Sequence, residues 1–433
     1  MKRHLGIIGL WLAGALGSAA AEPWTLERAL AQALANNPDT RIAQQRIAAA
    51  QAGLGQANAT AWPKLQFLSS YTGTDNPMYS FGNILNQRSF SPSINFNDVP
   101  STDNLNVRGL VTAPLYTGGA IKSGREAAKA NTAAAKEDAA AVRNELGFEV
   151  SRAFYTVLKA RQFIRAAEAA VNSFENNAAI ARKRVEAGSL LRADQLDVEV
   201  RLSAAQEDLL RARNANALAE RALRNLLGLD QGEFAVADSA PAVSAPDSGD
   251  FSGRPELGAM RQRQRAAQAQ VRGARSGYVP HLSAFGAVDY NHGWAMNGED
   301  TSYSAGVLLQ WDLWDGKMTR SKVAEAQANY DIAQEQERKL RLGLDLEVQQ
   351  ARLNLKEADE RLVVTEKAVA QAAESAQLTR SRFEQGLALA TQLNDSETAL
   401  TGARVRQAEA EADHRIAVAA LRKALGLPQL DSK

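Results

Sequence analysis

Proline placement constrains this 433-residue chain more than any other feature. Its 12 prolines stand at 23, 38, 63, 77, 92, 100, 114, 241, 246, 255, 280 and 428. None falls in 115–240 or in 281–427, gaps of 126 and 147 residues. An interior proline removes a helical hydrogen bond and clashes with the preceding turn, costing about 3 kcal/mol. Gaps this long predict very long helices. Alanine, about a fifth of the chain, fits the same picture, because its small side chain lets helices pack closely.

The two gaps belong to two copies of one unit. Pro38 and Pro255 are 217 residues apart, as are Pro63 and Pro280. Farther on, Gly118 pairs with Gly316, Gly188 with Gly386 and Gly228 with Gly426, each 198 apart. A repeat near 200 residues is far longer than a solenoid repeat and indicates duplication of a large supersecondary unit. Within each copy a heptad runs for tens of residues. From Leu146, Val150, Ala153 and Val157 it continues to Val185, and from Leu344, Val348, Ala351 and Leu355 to Phe383. A sustained 3.5-residue period means coiled-coil packing. Each long helix should stop at Gly188 or Gly386, turn, and return as a shorter antiparallel helix ending at Gly228 or Gly426.

Period-two runs precede each long helix. Tyr303, Ala305, Val307, Leu309, Trp311 and Leu313 alternate with Ser302, Ser304, Gly306, Leu308, Gln310 and Asp312, and Leu282, Ala284, Gly286, Val288 and Tyr290 with His281, Ser283, Phe285, Ala287 and Asp289. In the first copy Leu105, Val107, Val111, Ala113 and Leu115 share one face, and residues 65–72 form a weaker partner. Runs of about ten residues with aromatics near their ends have the size and pattern of outer-membrane strands. On this reading Trp311, Trp314, Tyr303 and Tyr116 are membrane-interface aromatics in contact with outer-membrane lipid. Four strands cannot close a barrel, because single-chain barrels start at about eight strands, and an open edge in lipid leaves unpaired backbone groups. Several chains must share one barrel. Three copies give twelve strands and a ring of twelve helices.

The expected organisation follows. A signal peptide occupies 1–21: a basic start, an apolar run over 5–17 too short to span a bilayer, and cleavage after Ala21. The first repeat covers 22–229, with a helix over 24–62, strands about 64–73 and 105–116, a long helix over 118–187 and a shorter one over 190–227. An equatorial linker rich in Ala, Pro, Ser, Asp and Gly takes 230–253. The second repeat covers 254–433, with a helix over 254–279, strands about 281–290 and 302–314, a long helix over 317–385 and a shorter one over 388–425. The fold class is mainly α with a membrane β-barrel, built from an internal duplication.

Other function classes find little support. A formal net charge of +1 lacks the basic excess of a nucleic-acid binder. The chain has no cysteine, which removes disulfides, thiolate metal sites and a lipidated start. It carries no H-E-x-x-H, Walker A or G-x-S-x-G motif, and His281, His292 and His414 are too scattered for a metal site. No enzyme, cofactor or metal centre is expected. The rival that remains is a soluble periplasmic coiled-coil scaffold or adaptor, which explains the heptads and signal but not the duplicated strand pairs.

The signal peptide, the duplicated half, the paired strands, Pro-Leu-Tyr-Thr-Gly-Gly (114–119) before a long helix, and the glycine turns together resemble the outer-membrane efflux (TolC) family. The resemblance implies a homotrimer in the outer membrane of a Gram-negative bacterium, with a twelve-stranded barrel continuing into a periplasmic α-helical tunnel. It implies a passive exit duct, in a tripartite efflux or type I secretion system, joined to an inner-membrane transporter by a periplasmic adaptor. The helix-turn-helix tips, here Gly188, Ser189 and Leu190 with Gly386 and Leu387, correspond to the adaptor-contacting end. Asp395, nine residues past Gly386, matches a pore-constricting aspartate of the family. Gln392 stands where some members carry a second one, and the first repeat has Asp194 and Asp197 at the two offsets. All three aspartates also fit first-turn residues that stabilise a helix dipole, the reading favoured for Asp194 and Asp197. Arg182, Lys183, Arg184, Arg380 and Arg382 fit either ion pairs holding a tip closed or cations in a helix's last turn.

Overall fold

A computed structural model describes residues 23–95, 97–230, 234–239, 241, 243–246 and 249–430. The expected signal peptide and its cleavage site lie outside the described residues. Among the described residues the chain is mainly helical, with one four-stranded antiparallel sheet. The order is α1 (Leu26–Asn36), α2 (Pro38–Ala59), β1 (Lys64–Thr74), α3 (Pro77–Asn86), β2 (Thr102–Tyr116), α4 (Ala120–Glu186) and α5 (Arg192–Leu226). The second half adds α6 (Pro255–Arg275), β3 (His281–Gly293), β4 (Gly298–Gln310), α7 (Met318–Glu384) and α8 (Ala390–Ala424).

Helices α4 and α7 each run 67 residues, about 100 Å at the α-helical rise. Their proline-free heptads are satisfied by the shorter helices that return along them. Val150, Phe154 and Val157 of α4 bury with Leu223 of α5. Val348, Ala351 and Leu355 of α7 bury with Val418 and Leu421 of α8. Alanines carry the contact where helices approach most closely, as where Ala127 and Ala130 of α4 meet Ala266 and Ala269 of α6.

The single helix expected over 24–62 is broken at Asn37. Pro38 pushes the residue before it out of the helical region, and Asn37 is extended (φ −62°, ψ 138°). Its side chain accepts the N–H of Asp39 at 2.7 Å to cap α2, while its amide donates to the carbonyl of Leu226 at 2.9 Å. The end of α5 therefore abuts the start of α2, and the two form one column. A Cβ on Gly228 would lie 2.9 Å from the carbonyl oxygen of Asn36, so only glycine permits this close approach. In the second half Arg254 occupies the matching joint and bonds the carbonyl of Ala424, stacking α6 on α8.

The helices of the chain thus form four columns in the order α2/α5, α4, α6/α8, α7. The strands follow the same order, β1-β2-β3-β4, because α2 leads into β1, β2 into α4, α6 into β3 and β4 into α7. The equatorial segment is tied on by a parallel bridge between Trp24 and Val236.

Three further sequence expectations need correction. Strand β4 starts at Gly298 and ends at Gln310, whereas 302–314 was expected, because Gln310 pairs with His281, where β3 begins. Trp311 and Trp314 therefore lie beyond the ladder. The alternation in β2 is shifted at its end: a bulge between Pro114 and Tyr116 places Tyr116, not Leu115, opposite Leu282. The stretch between the expected strands at 64–73 and 105–116, to which the sequence assigned no element, contains helix α3, capped by the Asn76 side chain at the N–H of Met78 (3.1 Å) and started by Pro77 at its first turn.

Candidate functional site

The sheet has two chemically distinct faces, fixed by its register. Leu65, Phe67, Val107, Val111, Val288, Tyr303, Val307 and Leu309 fall on one face, and most of these are exposed. The other face carries Asn104, Asn106, Arg108, Asp289, Asn291, Ser302 and Ser304 over its loop-end half, with Leu68, Leu110, Phe285 and Leu308 toward the helix end. Its polar groups satisfy one another: Arg108 meets Asp289 at 2.7 Å, and Asn106 donates to Asp289 and Asn291, each at 3.0 Å. An apolar exterior with a polar interior is the signature of a membrane barrel wall.

Aromatics mark both ends of the apolar face. At the helix end Tyr116, Trp311 and Trp314 are exposed, and Trp311 donates its indole N–H to the carbonyl of Tyr278 at 3.2 Å. Tyr303 stands eight residues along the chain from Trp311, about 26 Å of strand and roughly 20 Å along a membrane normal at the usual tilt. Tyr303 thus lies near the middle of β4 (Gly298–Gln310), apart from the other three and also short of the loop end of the sheet. At the loop end the structure adds residues that the sequence reading missed: Tyr71 and Trp294 meet edge to face at 5.7 Å, and Trp294 packs on His292 at 4.7 Å. Trp294 sits in a hairpin turn outside any alternation, so period-two patterning alone gave no signal for it.

At the far end of the tunnel the two tips are built alike. Gly188 (φ +69°) and Gly386 (φ +77°) take left-handed conformations that favour glycine. The N–H of Ser189 then bonds the Arg184 carbonyl and that of Leu387 bonds the Arg382 carbonyl, both at 2.8 Å. The tips pack on each other through Phe383, fully buried among Ala178, Ala181, Val198, Ala390 and Leu393. Arg184 crosses between them, donating to the Phe383 carbonyl at 2.7 Å and to the Ser189 carbonyl at 3.1 Å. Behind this clasp Arg380 pairs with buried Glu397 and reaches Ser173 of α4 at 2.9 Å. Arg182 lies 3.5 Å from Glu199, whose carboxyl is held below the usual range first by a hydrogen bond from Gln195, against a burial cost, and then by Arg182.

The expected tip residues fall as follows. Leu387 is exposed, Leu190 is half-buried, and Gly188, Ser189 and Gly386 form the exposed turns. Gln392 accepts the N–H of Leu389 at 3.1 Å and so caps α8. Asp395 and Asp197 are exposed and Asp194 is half-buried; among the described residues none of the three has an ion-pair partner.

A strand wall with an apolar outside, continuous with ~100 Å coiled-coil columns, defines an outer-membrane channel that extends into a long helical tunnel. The profile of the outer membrane efflux protein family matches residues 29–229 and 251–427, and the chain belongs to that family. It is 25% identical over 304 residues to the outer membrane protein TolC of Vibrio cholerae, covering 66% of this chain and 69% of that one. It is 26% identical over 270 residues to the cobalt-zinc-cadmium resistance protein CzcC of Cupriavidus metallidurans, covering 61% of this chain and 58% of CzcC. The solved CmeC outer membrane channel of Campylobacter jejuni superposes with a TM-score of 0.82 at 15% identity, over 100% of this chain and 96% of CmeC. The chain is an outer-membrane protein of an efflux-channel family, which removes the soluble-scaffold reading.

Proposed function

We propose that three copies of this chain form an exit duct that passively conducts substrates from an inner-membrane transporter across the periplasm and outer membrane. The observation that carries this is that both ends of the four-column arc are unsatisfied, at matching heights. Leu196 and Leu210 of α5 stand 8 and 22 residues past Gly188, on the face turned away from α4. Leu378 and Val364 of α7 stand 8 and 22 residues before Gly386, on the face turned away from α8, and all four are exposed. Strands β1 and β4 are free edges at the same two ends. A head-to-tail contact of α7 and β4 on the next chain's α5 and β1 would bury both seams and pair both edges.

Three copies are favoured over two because an eight-stranded ring is filled by its own side chains, whereas twelve strands leave a passage. The tips, with exposed Leu191, Leu387 and Leu389, supply the apolar surface for a periplasmic adaptor in a tripartite or type I system. Asp395 is the constriction residue this reading favours, because Gln392 is engaged as a cap and leaves a single acidic ring. Three carboxylates at a narrow tip repel one another and attract cations.

The test is oligomeric state together with conductance. The purified chain in detergent should have the mass of three copies and form ion-conducting pores in planar bilayers. A monomer, or a trimer that conducts nothing even after tip-opening substitutions, would overturn the duct. Cysteines placed at Ser189 and Leu387 should cross-link to an adaptor in intact cells, and capture of the transporter alone would move the adaptor contact elsewhere.

A further inference from the structure

The segment between β1 and β2 folds back over the loop end of the sheet. Four anchors hold it there, and all are on the polar face of the sheet. Asn83 donates to Thr102 at 3.1 Å, and Thr102 donates to Ser80 at 3.3 Å. Gln87, almost fully buried, donates to the Asp103 carbonyl at 2.7 Å and to the Asn104 side chain at 3.0 Å. Asn104 in turn donates to Asn291 at 2.9 Å. Arg88 then meets Asp300 at 2.6 Å. Thr102, Asn104, Asn291 and Asp300 share the face of Arg108 and Asp289, by register.

The opposing hairpin is shaped to receive this segment. A Cβ on Gly293 would lie 2.2 Å from the Gln87 side chain, and one on Gly298 would lie 1.6 Å from the Ser89 hydroxyl. Arg88 is in the left-handed region (φ +51°), unfavourable for a non-glycine residue, and from there its side chain reaches Asp300. Ser80, Ile84 and Gln87 form the buried side of α3. Met78 and Leu85 fall on the opposite side and Tyr79 flanks them; Met78 is 79% exposed and Tyr79 71%.

We infer that α3 of each chain meets the α3 helices of its two neighbours, forming an apolar collar that narrows the mouth of the barrel remote from the tunnel. This rests on the three-copy duct proposed above. A twelve-stranded ring with strands 4.7–4.9 Å apart and tilted about 40° has a backbone diameter of about 24 Å. Three helices, each roughly 10–12 Å across with side chains, nearly fill such a circle. Met78 and Leu85, turned away from the wall, then face the axis. The occupant of the exposed side of α3 is a second copy, because the helix is fixed to the lumenal wall and lipid cannot reach it there. A ring of such side chains sheds water, so the collar is an exit-side barrier to polar solutes, in series with the tips and independent of them.

The cysteine-free sequence makes the test direct. Met78→Cys in the full chain, in isolated membranes, is treated with a short bis-maleimide. Leu210→Cys combined with Val364→Cys serves as the matched probe of the column seam. Covalent chain-to-chain products from both variants support the collar. Products from the seam pair without products from Met78→Cys overturn the collar and leave the duct standing. If neither variant links, the shared barrel fails and the collar fails with it. Met78 is too exposed for its replacement to disturb folding, and Arg88→Glu in the Met78→Cys chain should cut the linked fraction several-fold by releasing the anchor.

Discussion

Arg184 and Phe383 lie 199 residues apart in sequence and hold the two tips of the chain together. The guanidinium donates to the Phe383 carbonyl at 2.7 Å and lies 5.0 Å from the centre of its ring. One side chain therefore joins the two hairpins by a charged hydrogen bond and a cation–π contact. Hydrogen bonds of this kind contribute about 1.5–3 kcal/mol, and the ring contact about 0.5–1 kcal/mol where water reaches it.

Arg184→Ala should loosen the tips without unfolding the long helices. The expected outcomes are a higher single-channel conductance in planar bilayers and faster protease cleavage at 187–191. Conductance and cleavage both equal to the parent chain would show that the clasp does not hold the tips.

Phe383→Ala removes a fully buried ring from the tip core and should cost about 3–5 kcal/mol. Because that core is local, hydrogen exchange should rise near 178–198 and 383–393 and stay unchanged in the sheet. Uniform destabilisation along the whole chain would contradict a separate tip core.

The α6/α8 joint predicts an acid sensitivity. Burial pushes the Glu256 carboxyl up, but two hydrogen bonds from Arg254 outweigh it and leave Glu256 below the usual carboxylate range. A carboxyl depressed in the folded state contributes stability that is present above its unfolded value and is lost as pH falls through its folded value. Tunnel stability should therefore decline on acidification below the ordinary glutamate range, and Glu256→Gln should flatten that decline in thermal melts. Arg254→Met leaves Glu347 and Glu256 without their buried partner and should cost about 3–5 kcal/mol.

Leu346→Lys tests the free seam of α7. Leu346 is exposed on the single chain, so the substitution should leave its helical content unchanged in circular dichroism. Burial against the next chain would place an unpaired ammonium in an apolar seam, so the trimer fraction on a semi-native gel should fall at least tenfold. An unchanged fraction would place the interface elsewhere.

Asp395→Asn tests the acidic ring. Loss of three symmetry-related charges should raise conductance and weaken divalent block. Gln392→Ala should leave the block intact and cost only the α8 cap, about 1 kcal/mol.

Much of this was legible in the residues themselves. The 126- and 147-residue proline gaps and the heptads through Val150 and Val348 mark the long helices, because a helical period is written into neighbouring residues. The alternation of Val307, Leu309 and Tyr303 marks the barrel face in the same way. These are short-range patterns, and the duplication repeats them 198 residues later. The outward seams were harder to see: Leu210 and Val364 stand out only after the inner seam of each helix is known to be filled.

Tertiary structure alone decided the break at Asn37, the docking of α3 on the sheet and the clasp at the tips. Asn37 opens its helix so that α5 can stack on α2, which requires the Leu226 carbonyl, 189 residues away. Gln87 and Arg88 look like loop residues until Asn104 and Asp300 stand opposite them. Arg184 reads as a last-turn cation until Phe383 arrives from the other repeat. The sequence by itself determined the elements, because dihedral preference and hydrophobic period are local. Only the fold decided which distant polar groups would meet, because a buried donor is committed by the acceptor that packing brings to it.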